Sequence, residues 1–303
     1  MMRGKTRNSL NRFTLFDFIN VFILFVIGVI TVYPFYNVLL VSFNDPVDTL
    51  GGGLFFYIRE FTFDNYLFFF SENDFLRAFF ISVARTAIGT PVAVLVTAAF
   101  AYGVSKKYLV GRAFIIKFML LTMYVSGGII PYFMLIRNIG LHHNFLVYII
   151  PMAFNAFFAI IMISFFKGLP EEIEESGKID GGNDLTIFFK IVLPISLPVV
   201  ATIALFNAVN QWNAWFDTIL FGGRDLMTVQ AILVDILRDT IAIRALDQAG
   251  QGHLVDFERA LFRPTIQSVQ ATAMMVTAIP IAMVYPFAQK YFVKGITLGS
   301  LKG

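Results

Sequence analysis

The sequence predicts an all-α polytopic membrane protein with six transmembrane helices and both termini in the cytoplasm. Three observations predict it. Hydrophobic residues fill 57% and charged residues only 14% of the 303 positions, with mean hydropathy +0.74, where soluble domains carry about 25% charge. Six charge-free runs, 18–44, 86–105, 118–136, 144–166, 191–216 and 264–289, are each 19 to 27 residues long, and a helix crosses the hydrocarbon with roughly 20 apolar residues. Lys and Arg concentrate in alternate connecting segments, as the positive-inside rule requires. Backbone polar groups in lipid must be satisfied internally, and runs this long and unbroken favour helices over barrel strands. A large soluble protein with buried helices would need a polar shell, and too little polar sequence remains to build one. The 36 Phe suit a lipid-facing surface, while the absence of Cys excludes disulfides, thiol catalysis and a Cys-ligated metal.

The elements are taken in chain order. Residues 1–15 form a basic arm; the apolar run behind it is too long for a signal peptide and lacks a small-residue cleavage site, so it is retained as a span near 16–44. An outer segment, 45–77, carries Gly51-Gly52-Gly53 and several acids. The second span lies near 78–105 and the third near 113–136, separated by the basic "SKKYLVGR" loop, the clearest cytoplasmic marker. Gly127, Gly128 and Pro131 in the third span either shape a gate or permit close packing. His142 and His143 occupy a short outer loop, as a metal pair or as two polar turn residues; His253 is isolated in the next outer loop. The fourth span is read near 144–166, a cytoplasmic loop at 167–190 and the fifth span near 191–216. An outer region, 217–263, contains "MTVQAILVDILRDTIAIRAL", a surface helix, then "DQAGQGH". The sixth span lies near 264–289 and a cytoplasmic tail at 290–303. With the N-terminus inside, cytoplasmic segments hold 14 of the 23 Lys and Arg.

One loop runs against this basic trend. Six of the 20 acidic residues, Glu171, Glu172, Glu174, Glu175, Asp180 and Asp184, fall within fourteen positions. The stretch reads as short helices: Pro170 and the acids suit a helix start, Gly177 loosens or ends that helix, and Gly181-Gly182 make a turn. "NDLTIFFKIV" then starts from an Asn or Asp cap, with Ile187, Phe188 and Ile191 on one face. Such an elbow either docks into a groove of a soluble partner or is a solvated connector.

The spacing of this loop resembles the EAA motif of ATP-binding-cassette (ABC) importer permeases: Glu175, then Asp180-Gly181, then Ile191, Leu193 and Pro194. Ser176-Gly177 stands where the motif has Ala-Ala. "YPFYNVLLVSFND", "NQWNAWFDTILF" and the closing "YPFAQKYFVKGITLGSLKG" resemble the carbohydrate importers of this class, in their oligosaccharide subgroup. The resemblance implies the type I ABC importer permease fold in a bacterial cytoplasmic (inner) membrane, with permease domain 16–289 importing an oligosaccharide. An importer for amino acids or peptides is the alternative. It also implies that Glu175, Asp180, Gly181, Ile191, Leu193 and Pro194 couple to an ATPase. The implied partners are a second homologous permease subunit, two ATPase subunits and an extracellular or periplasmic solute-binding protein received by the outer regions. Nothing points to nucleic acid.

The chain has no GxxxxGK[ST] loop to cradle phosphates; no cofactor is expected on it, and ATP and Mg²⁺ belong to the ATPase subunits. Six acids crowded on a solvated loop do not form a catalytic site. Polar residues at membrane depth are the candidates for a substrate path: Asn207, Asn210, Gln211, Asn213 and Asp217 at helical spacing, with Asn155 and Tyr148 in the fourth span. Trp212 and Trp215 either cover a sugar ring or sit in the interfacial aromatic belt. Tyr124, Ser126 and Tyr132 join them from the third span. Pro194 and Pro198 either bend the fifth helix or occupy tolerated first-turn positions. Arg85 snorkels outward from the edge of the second span or attracts an anionic sugar.

Overall fold

A computed structural model of the chain describes residues 15–72, 74–248, 265 and 267–283. The expected arm, apart from Leu15, the tail and His253 lie outside the described residues. The chain forms two compact units: the described residues up to Phe69 with 265 and 267–275, and those from Phe70 to Gln248 with 276–283.

The first unit begins with helix α1, Leu15–Phe43, whose apolar side chains stand exposed along nearly its whole length. That surface is compatible with lipid or another helix, not with water. Pro34 lies inside α1, and only at its end do Leu40, Val41 and Ser42 become buried. Asn44 organises the segment that comes next. Its Oδ1 accepts from the Arg59 and Glu60 N–H groups at 3.0 and 3.1 Å, and its Nδ2 donates to Asp48 at 2.7 Å and Thr49 at 3.0 Å. Asp45 caps the short α2, Pro46–Leu50, accepting from Val47 and Asp48 N–H, and Arg59 pairs with Asp48 at 2.8 Å. Phe43 packs on Phe61, Phe63 and Tyr66, the last within α3, Asp64–Glu72. Residues 44–66 are therefore held by hydrogen bonds and stacked rings rather than forming a slack loop.

The second unit is built on α4, Phe75–Ser105, which packs against α7, Ala156–Lys167, and α10, Leu197–Asn213. Small side chains let the backbones approach: Ala98, Ala101 and Ala159 are buried among Met162, Ile163, Val192 and Ile203. Between α4 and α7 come α5, Arg112–Tyr124, and α6, Ile129–Asn138, meeting at 114° across Val125–Gly128. Gly128 takes φ +84° there, a conformation other residues enter only with strain. The segment 144–166 is not one continuous helix. A 3₁₀ turn, Phe145–Tyr148, and an irregular stretch precede α7, because Pro151 removes a donor and Asn155 caps α7 by accepting from Phe158 N–H at 3.1 Å.

After α8, Glu171–Ile179, comes α9, Asp184–Ile195, whose middle, Phe188–Val192, is π-helical. Pro194 has no N–H for the preceding turn and its ring crowds it, a condition under which helices widen. Helix α10 leaves α9 at 83° around Ser196. A π-helical turn, Thr218–Gly222, and α11, Val229–Gln248, come next, the latter covering the expected surface helix. Residues 267–283 form α12. Among the described residues α1 and α4 are each long and apolar enough to cross a membrane, and counting the bent pairs α5–α6 and α9–α10 as spans makes four. Run length alone could not show the bends, since absence of charge says nothing of axis direction.

Candidate functional site

The acidic loop folds as a stiff elbow. Glu171, Glu172 and Glu174 fill the first turn of α8 and Lys178 the last, each sign favoured by the helix dipole. The helix does not end at Gly177. It closes at Asp180 with Gly181 at φ +81°, Gly181 N–H donating to Lys178 O at 3.0 Å and Gly182 N–H to Gly177 O at 2.9 Å. These two bonds are the Schellman pair, which needs a left-handed residue where Gly181 stands. Asn183 then caps α9, accepting from Thr186 N–H at 2.8 Å.

Gly177 is the contact between the two helices rather than a weak point. A Cβ there would lie 2.7 Å from Ile191 Cδ1 and 3.1 Å from Ile187 Cγ1. The expected face of Ile187, Phe188 and Ile191 exists, with Ile187 and Phe188 buried and Ile191 partly so. Leu193 packs at the edge of this core and Pro194 is exposed. The opposite side of the elbow is open: Glu175, Asp180 and Gly181 are exposed, beside Ile179 at 86% and Leu185 at 68% exposure.

Basic side chains of the "SKKYLVGR" loop hold the elbow. Lys106 pairs with Glu174 and Lys107 with Glu171. The Lys106 ammonium lies 3.6 Å over the Tyr102 ring, and Tyr108 Oη donates to Asp184 Oδ2 at 3.2 Å. The Lys107 contact holds the Glu171 carboxyl below the usual carboxylate range. Burial lowers Lys106 despite its Glu174 partner. A cavity of about 310 Å³ opens beside these pairs, lined in part by Arg112, Lys167 and Leu169.

The candidate path residues divide by face. Gln211 is buried against α4, where a Cβ on Gly89 would lie 2.6 Å from its Nε2, and it donates to Tyr148 O at 3.2 Å. Asn207, one turn earlier, is 6% exposed, and its Oδ1 has no partner. Trp212 is buried, donating from Nε1 to Thr277 O at 3.1 Å and meeting Phe79 edge-on. Tyr148 is buried, its Oη donating to Leu226 O at 2.7 Å. Asn155 serves as the α7 cap. Asn210 and Asn213 are exposed, Asn213 accepting from Gln230 at 3.3 Å, and Trp215 is half-buried with Arg238 5.8 Å above its ring. Tyr124, Ser126 and Tyr132 are exposed on the α5–α6 bend.

Arg85 does not snorkel. It is fully buried and pairs with Asp217 at 2.5 Å. Sequence reasoning missed this because each charge only bordered a different apolar run. The signal available was that both charges sit at run edges that antiparallel helices would bring level. His142 and His143 stack edge-to-face at 4.0 Å between centroids, and His143 N–H donates to Phe221 O at 2.8 Å. Among the described residues no three His, Cys, Asp or Glu side chains gather in metal-binding range.

No protein-family model matches the chain. Over 291 residues, 95% of this chain and 99% of the other, it is 37% identical to the polygalacturonan/rhamnogalacturonan transport system permease protein YtcP of Bacillus subtilis (strain 168). It is 35% identical to Protein LplC of the same organism over 95% of each chain. It is 26% identical to the arabinooligosaccharides transport system permease protein AraQ of Halalkalibacterium halodurans, over 91% of this chain and 93% of the other. Its fold is similar, at TM-score 0.80 and 25% identity, to a chain in the crystal structure of a bacterial ABC transporter involved in the import of the acidic polysaccharide alginate. That match covers 95% of this chain and 100% of the other.

Proposed function

This chain belongs to the carbohydrate ABC-importer permeases of the binding-protein-dependent class, and we propose that it forms half of the membrane path of an oligosaccharide importer. It is a permease subunit without catalytic chemistry of its own. Six spans place both termini in the cytoplasm of a bacterial cell. The arm 1–15, the loop 167–190 and the tail 290–303 lie inside, and segments 45–77 and 217–263 face a solute-binding protein outside. A sister permease completes the path and two ATPase subunits drive it. The names of YtcP and of the alginate transporter refer to acidic polysaccharides, which supports an acidic, uronate-containing oligosaccharide as cargo.

The α8–α9 elbow is the observation that carries the mechanism. Its exposed Glu175, Ile179, Asp180 and Leu185 are a mixed acidic and apolar face suited to a cleft on the ATPase. Its inner face is too tight to absorb a push, since Gly177 lies directly on Ile187 and Ile191. Closure of the ATPase pair therefore moves α8 and α9 together. The movement reaches α10 at the 83° bend, where Pro194 and Pro198 lack donors and the Ser196 hydroxyl is buried without a partner. Of the stripe read as path-lining, Asn210 and Asn213 are the exposed amides that face the path, Asn213 with its Oδ1 on Gln230, and Trp215 lies beside them. Amides match sugar hydroxyls as donor and acceptor.

Two measurements test this. Glu175→Gln and Leu185→Ser in the assembled transporter are expected to suppress ATP-driven uptake while the solute-binding protein still docks. Loss of docking along with uptake would contradict the coupling role. The binding profile of the cognate solute-binding protein against neutral and anionic oligosaccharides is expected to favour oligogalacturonides. Binding only to amino acids or peptides would overturn the sugar assignment.

A further inference from the structure

Among the described residues, Arg85 is the most heavily bonded side chain at membrane depth. Its Nε donates to Gln211 Oε1 at 2.9 Å. Nη1 donates to Ala214 O at 3.2 Å, Asp217 Oδ1 at 3.1 Å and Thr218 Oγ1 at 3.4 Å. Nη2 reaches Asp217 Oδ2 at 2.5 Å and the Met152 sulfur at 3.6 Å, and the guanidinium lies 4.4 Å over the Tyr148 ring. A buried ion pair is a poor source of stability, because apolar side chains of similar volume generally pack as well. Its planar, bidentate geometry instead fixes direction.

What it fixes is the break at the end of α10. The helix stops at Asn213, and Ala214 turns extended at φ −72°, ψ 123°. Its carbonyl has no helical partner in that conformation and accepts from Arg85 instead. Asp217, held by both arms of the guanidinium, also accepts from Thr218 N–H at 2.9 Å and so starts the next turn. The start of α11 is tied to α4 as well, since Ser82, one turn from Arg85 on α4, accepts from Val229 N–H at 2.9 Å. Asn213 stands immediately before the clamp and Trp215 lies within it.

We propose that Arg85 and Asp217 are positioning residues for sugar passage: their pair anchors the break at 214–217 to α4 and so sets the direction in which Asn213 and Trp215 face the path. This rests on the reading of those side chains as path-lining. It also removes Arg85 from direct recognition of the cargo, because Asp217 already neutralises it and no part of it is exposed.

The test replaces the pair by apolar side chains in the complete transporter, as R85M/D217L, reconstituted in proteoliposomes with its ATPase, sister permease and solute-binding protein. The expected complex assembles, unfolds at the wild-type temperature and hydrolyses ATP on docking. Its uptake of a labelled short oligogalacturonide falls on the order of tenfold, the scale by which residues that touch no ligand alter coupling. Wild-type uptake by the assembled variant would overturn the proposal. If that variant does not assemble, Arg85→Lys, which keeps the charge and loses the fork, is read in the same way. Failure of both to assemble would show that the pair serves folding alone and would equally overturn it. Asn213→Ala and Trp215→Ala test the underlying reading separately. Unchanged uptake in those two sinks the path assignment, whereas reduced uptake there with wild-type uptake in R85M/D217L sinks only the clamp.

Discussion

The contact at Gly177 sets how the elbow behaves, and its geometry predicts an order among three glycine substitutions. In Gly177→Ala the new methyl stands 2.7 Å from Ile191 Cδ1. That atom ends a half-buried side chain and swings aside at about 0.5–1.5 kcal/mol, the cost of an off-rotamer torsion. Ile187 Cγ1, at 3.1 Å, belongs to a buried side chain and must give by a few tenths of an ångström. Against both stands the helix preference of Ala over Gly, about 0.8–1.0 kcal/mol. These opposing effects nearly cancel, so Gly177→Ala changes stability by about 1 kcal/mol or less, in line with the Ala that the EAA pattern places there.

Gly182→Ala differs in kind. Its methyl would lie 2.8 Å from the Gly177 carbonyl oxygen, a backbone atom that also accepts the Gly182 N–H at 2.9 Å. Relief requires opening the turn, a cost of about 1–3 kcal/mol typical of overpacking. Gly181→Ala has open space but φ +81°, and costs about 1–2 kcal/mol for the left-handed conformation. The expected order of destabilisation is Gly177→Ala below the other two. Denaturant titration of the solubilised chain, with uptake measured on the assembled transporter, reads it. A Gly177→Ala protein less stable than Gly182→Ala would refute the packing argument.

Other contacts make similar predictions. Asn155→Ala removes the α7 cap and is expected to lower stability by about 1 kcal/mol in the same titration. Lys107→Gln breaks an exposed pair and is expected to leave stability nearly unchanged, with any effect fading at high salt. Lys106→Gln costs more, because it leaves a half-buried Glu174 without its cation. Partial burial, His143 and Arg137 hold His142 below its ordinary value of 6.5. Folding therefore disfavours the charged ring: its contribution is complete above pH 6.5 and is lost as pH falls through the lower folded value. Amide exchange at His143, corrected for intrinsic rate, is expected to rise in that window and to lose its pH dependence in His142→Ala.

The fold was legible where one-dimensional signals decide it. Length and apolarity are enough to find α1 and α4, and Asn183, Gly181 and Pro170 mark the boundaries of the elbow by their backbone preferences alone. Bends were less legible. The pair α5–α6 turns by 114° at "VSGG", where glycines announce a break without giving its angle. Gly177 shows the converse ambiguity, since a glycine inside a helix reads equally as a weak point or as a contact, and only the position of Ile191 decides.

The path was harder to read for a reason that concerns polar groups in membranes generally. An amide at membrane depth must be satisfied, but a neighbouring helix satisfies it as well as water or substrate does. Helical spacing lets Asn207, Asn210 or Gln211, and Asn213 or Asp217 lie along one stripe, and says nothing of whether that stripe meets protein or path. The structure turns Gln211 toward Gly89 and Asp217 toward Arg85, so much of the stripe is a seam between α4 and α10. Asn210 and Asn213 are offset from it and stay exposed. The partner that resolves the ambiguity was present in the sequence as Gly89 and Arg85, one helical turn apart, the first leaving room for an amide and the second needing a carboxylate. Seen alone, each suggests helix packing or a lipid-edge charge. Seen against Gln211 and Asp217, within and just beyond the end of α10, they describe a socket and its two occupants. This cross-helix pairing separates side chains committed to the seam between α4 and α10 from Asn210 and Asn213, which stay exposed.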